Sequence, residues 1–109
     1  MVTIAQVQRG AAAFVDQELT AGMEGLAKFG VQTIAGVYIA KLDTLAQQLA
    51  AHPMVAPLGI IKDGYIDIDV LYNEAAKRMN EPLPVQTPIG TWHFTKDDLA
   101  KLYDMIKRA

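Results

Sequence analysis

The chain has 109 residues, 51% of them hydrophobic and 20% charged, with a net charge of -2 at pH 7 and no cysteine. That length fits one small domain with a single core. The absence of thiols excludes disulfide frameworks, cysteine nucleophiles and cysteine-ligated zinc. The slightly acidic balance supplies no positive field for a phosphate backbone, so nucleic acid is disfavoured as a partner.

The amino-terminal run MVTIAQVQRGAAAFVDQE has no basic start and carries acids by Asp16 and Glu18, unlike a secretory leader. The longest apolar stretch, Phe29 to Ala40, contains Gln32 and falls well short of the roughly 20 residues a membrane span needs. A cytoplasmic chain without a membrane span is expected.

Ile4, Val7, Ala11, Phe14 and Val15 recur at steps of three and four among polar residues, which predicts a helix over about 3–19. Gly22 and Gly25 then favour a turn, although a continuous bent helix would also fit. From Gly25 to about Ala51 the pattern is helical again. Val31, Ile34, Tyr38, Leu42, Leu45 and Leu49 form one bulky stripe. The opposite side is apolar and small through Gly30, Thr33, Gly36, Val37 and Ala40. A helix apolar on two sides can be approached closely on both.

Pro53 and Pro57 mark a loop. Beyond it, LGIIKDGYIDID places β-branched residues on both sides of Asp63-Gly64, a hairpin signal with strands over about 58–62 and 65–67. Asp67 can cap a helix over about 68–79, which Asn80, Pro82 and Pro84 end. VQTPIGTWHFT fits a second hairpin turning at Ile89 and Gly90. Thr95 and Asp98 have the spacing of a capping box before a last helix over about 96–108. The expected fold is therefore α+β. It forms a single domain over 1–109, with a helical part over 1–52 and a hairpin-helix-hairpin-helix part over 58–109. Its four short strands could join in one antiparallel sheet.

Few residues carry the signature of chemistry. Alternation puts Trp92 and Phe94 on one side of a strand and His93 on the other. A catalytic His93 would need Asp97 or Asp98, and both are accounted for at a helix start. His52 sits at a helix end, where an imidazolium suits the dipole. The two histidines lack metal-ligand spacing. Asp63, Asp67 and Asp69 superficially resemble a calcium loop, but glycine directly follows the first acid and isoleucines intervene. The scattered glycines form no phosphate-binding motif. Lys77, Arg78, Lys101, Lys107 and Arg108 fall late in two helices, where cations favour the dipole. No cofactor or metal is expected.

Three motifs lie in about the last 50 residues. They are D-x-D-x-L-Y from Asp67 to Tyr72, P-x-G-x-x-x-F from Pro88 to Phe94, and D-D-L-x-K-L-Y-x-x-I from Asp97 to Ile106. Together they resemble the carboxyl-terminal part of short proteins encoded within bacterial prophage structural gene clusters. The resemblance implies an assembly or accessory role and carries over no site residues. It would also allow a location within a phage particle.

The expectation is a non-enzymatic interaction protein that forms a homo-oligomer or docks on a protein partner through Phe29, Gly30, Thr33, Gly36, Val37 and Ala40. The alternative is a small regulatory or ligand-binding module in which Tyr65, Tyr72 and Trp92 line a pocket. A small-molecule partner is the less favoured of the two.

Overall fold

The computed structural model describes residues 1–87 and 90–109. Helix α1 spans Ile4–Phe14, with the Thr3 hydroxyl accepting the Gln6 amide at its start. It widens into a π-helical turn over Val15–Leu19. Thr20, only 1% exposed, closes that turn. Its amide donates to the Val15 carbonyl, and its hydroxyl reaches both the Val15 and Asp16 carbonyls. Gly22 and Gly25 then adopt positive φ, so the chain turns here and does not continue as a bent helix.

The expected long second helix is two helices, α2 over Gly25–Ala40 and α3 over Leu42–Ala50. No proline or glycine stands at the break. The Lys41 amide makes a tight bond to Tyr38 O at 3.1 Å, while Gln8 reaches across from α1 to occupy the Ile39 carbonyl at 3.0 Å. A side chain entering the carbonyl ladder in this way is a recognised cause of a helix break.

A 3-10 turn over Ala56–Leu58 leads to β2 (Ile61–Lys62) and β3 (Tyr65–Ile66), which are shorter than expected. Asp63 and Gly64 take φ of 53° and 79° between them, as the hairpin signal requires. Val2–Thr3 forms a further strand, β1, on the other side of β3, so this sheet has the order β1-β3-β2. Helix α4 follows over Ile68–Arg78, capped by Asp67. Strands β4 (Leu83–Thr87) and β5 (Gly90–Phe94) form a separate antiparallel pair. The turn placed at Ile89 and Gly90 lies partly outside the described residues. Helix α5 (Lys96–Arg108) opens with the complete Thr95/Asp98 capping box.

The fold is α+β, as expected, but its strands divide between two small sheets. Two different packing partners explain the division. Val2, Ile60, Ile66, Ile68 and Ile106 form the main core beneath the three-stranded sheet. Trp92 and Phe94 instead meet Phe14 edge-on, with ring centroids 6.0 and 5.9 Å away, which draws the second hairpin to the end of α1. Helices α1 and α5 cross closely because Gly10 has no side chain; a Cβ there would lie 2.5 Å from Ile106 Cα. Gln6 reinforces the crossing by donating to the Ile106 carbonyl at 2.9 Å.

Candidate functional site

Helix α2 is held to the body by one side only. Val31, 4% exposed, is its single fully buried residue. Gln32 donates to Asp16 at 2.9 Å, and Gln8 holds the far end at Ile39. With about 3.6 residues per turn, Leu26, Phe29, Gly30, Thr33, Gly36, Val37 and Ala40 all fall within roughly 60° of the Thr33 direction, nearly opposite Val31. That outer face is open to solvent. Leu26 is 89% exposed, Phe29 66% and Val37 51%. Gly30 and Gly36 have nothing above them within 4 Å. The Thr33 hydroxyl donates to its own helix at Phe29 O, 2.8 Å away, so its polar group is already satisfied.

Each of the six residues predicted for an interface thus lies on one face of α2. Leu26 was missed, although it sits one turn before Phe29 and Gly30. The bulky stripe on the other side is only partly covered. Val31 is buried, but Ile34, Tyr38, Leu45 and Leu49 are also exposed. Ile34 and Tyr38, with Leu19, Val31 and Val85, wall an open apolar cleft of about 250 Å³ between α2 and β4. Leu49 joins Met54, Leu58 and Leu71 around another of about 330 Å³. The apolar surface therefore continues around the helix flank.

Tyr65, Tyr72 and Trp92 stand on three different elements. Tyr65 pairs with Thr3 and Lys62 in the three-stranded sheet. Tyr72 stacks on Tyr103 of α5 at 4.5 Å. Trp92 packs edge-on against Phe14 and Phe94.

Most of the polar groups singled out in the sequence are engaged locally. The His52 ring accepts the Met54 amide through Nδ1 at 3.1 Å, and His93 is exposed on β5 opposite Pro84. Asp98 accepts the Thr95 amide at 2.9 Å. Of the three acids in the calcium-like run, Asp63 takes the hairpin turn, Asp67 caps α4 and Asp69 ties α4 to α5. Asp69 accepts a hydrogen bond from the Tyr103 hydroxyl and pairs with Lys107 at 3.2 Å, and Lys107 lies over the Tyr103 ring. The Tyr103 bond, followed by Lys107, holds the Asp69 carboxyl below its usual range. The same carboxylate pushes Tyr103 and Lys107 upward. Among the described residues no three histidine, cysteine or acidic side chains gather as metal ligands, and no helix is long and apolar enough to cross a membrane.

No protein-family model, curated protein or solved structure matches this chain.

Proposed function

We propose that this chain is a non-enzymatic interaction protein that self-associates, or docks on a larger assembly, through the outer face of α2. The observation that carries this reading is surface in excess of a compact monomer's. A monomer of 11.9 kDa is expected to expose about 6,000 Å², whereas this chain exposes 7059 Å². Its radius of gyration of 14.3 Å likewise exceeds the roughly 13 Å expected for its length. The difference in area, on the order of 1,100 Å², is comparable to the ~800 Å² that each partner buries in a standard protein interface. Exposed aromatic and branched side chains on one helix are the natural place for that burial.

The carboxyl-terminal motifs suggest a setting for this activity, that of a prophage-encoded structural or accessory protein working in the cytoplasm or within a phage particle. The reading of a ligand-binding module near Trp92 has less support, because Trp92 is engaged with Phe14 and Phe94 and the two tyrosines lie elsewhere.

Light scattering at increasing concentration tests the proposal. The wild-type mass should rise above the 11.9 kDa of one chain, and Phe29→Glu should return it to that value without loss of helicity. A wild-type chain that stays at the monomer mass throughout would remove self-association from the account.

A further inference from the structure

The outer face of α2 is nearly self-complementary about Thr33, and we infer that its occupant is α2 of a second copy, antiparallel to the first across a two-fold axis at that residue. This rests on the reading of α2 as a self-association surface and adds its geometry. Gly30 and Gly36 stand three positions to either side of Thr33, Phe29 and Val37 four, and Leu26 and Ala40 seven. In a two-fold interface a contact from residue i to residue j is repeated from j to i. Positions equidistant from Thr33 therefore share a level, where they lie side by side.

Size then decides the fit. Each large member of the stripe meets a small one. Leu26 shares its level with Ala40 of the second copy. The flank of α2 that carries Phe29 also carries Gly36, so the two-fold sets the Phe29 ring over Gly36 of the second copy, and Val37 likewise over Gly30. Both glycines have open space above them, which is the recess these side chains need. The two Thr33 residues meet at the axis with their hydroxyls already turned to Phe29 O, so the centre can close without stranding a polar group. A parallel arrangement would instead set Leu26 against Leu26 at one end of the seam and Ala40 against Ala40 at the other, large on large and small on small.

The edge of β4 is a weaker competitor for a second copy. Pro84 lacks an amide hydrogen, and proline sits in such a pair only where its missing donor faces out of the ladder. A strand added at that edge would lose a bond there.

The chain contains no cysteine, so single introduced thiols report contacts cleanly. Under mild oxidation at a concentration where the wild type associates, Thr33→Cys should cross-link to a dimer. Leu26→Cys and Ala40→Cys should cross-link poorly alone and well when mixed. Gln48→Cys, exposed on α3, should stay largely unlinked. Circular dichroism on each variant establishes that the fold is retained. If the wild type associates but Gln48→Cys links faster than Thr33→Cys, or Leu26→Cys links to itself faster than to Ala40→Cys, the antiparallel pairing is wrong while self-association stands. If the wild type never associates, both fall.

Discussion

Gly10 and Gly36 are both helical glycines, and their surroundings make opposite demands. At Gly10 a methyl group would meet the Ile106 backbone at 2.5 Å, and a backbone atom cannot rotate aside. Overpacking of this kind costs about 1–3 kcal/mol, more than the roughly 1 kcal/mol of helix propensity that alanine would add. Gly10→Ala should therefore lower the urea midpoint. Gly30→Ala and Gly36→Ala meet open space and should each raise the stability of the dilute chain by up to about 1 kcal/mol. The same two substitutions shallow the recesses proposed for Phe29 and Val37, so they should weaken association. Greater stability with weaker assembly marks glycines kept for a contact.

Asp69, Tyr103 and Lys107 give a second set of expectations, set by pH. The folded Asp69 titrates below its unfolded value, so its contribution is complete above about pH 3.9 and is lost as pH falls through the folded value. Tyr103 and Lys107 are raised when folded; their contribution is complete below about pH 10 and disappears as pH climbs through their folded values. Asp69→Asn should thus lower the melting temperature at neutral pH. The gap from wild type should close in strong acid, where both chains carry a neutral side chain at this position.

Short-range chemistry built most of the elements. Removing the Thr95 hydroxyl ends its half of the capping box on α5, and Thr95→Ala should cost about 1 kcal/mol, measurable by thermal denaturation. Such caps could be read from the sequence, as could the Asp63-Gly64 turn and the phase of each helix, because each depends on residues within a few positions. The break at Lys41 could not, since it depends on Gln8 reaching Ile39 from another helix. Strand β1 was equally hidden. Val2 and Thr3 look like the start of a helix until Ile66 and Tyr65 lie beside them. The division into two sheets follows from Phe14 drawing Trp92 and Phe94 to itself, a contact between distant positions. On α2 the pattern revealed two apolar sides but not what covers either. Of the bulky stripe only Val31 is buried, while Ile34, Tyr38, Leu45 and Leu49 are exposed.

Taken as a whole, one copy of the molecule leaves the outer face of α2 uncovered. A small domain has little interior to offset such exposure, and a partner that covers α2 adds stability that grows with the logarithm of its concentration. The melting temperature of the wild type should therefore rise with protein concentration, and that of Phe29→Glu should not. Residue-level hydroxyl-radical footprinting across a dilution series would observe the covering itself. Phe29 and Leu26 should become protected as concentration rises, while Met54, 70% exposed beside Leu49 and Leu71 in a cleft that no α2 residue lines, keeps its reactivity. Equal reactivity of Phe29 and Leu26 at every concentration, in a chain that retains its helices, would contradict self-association through α2.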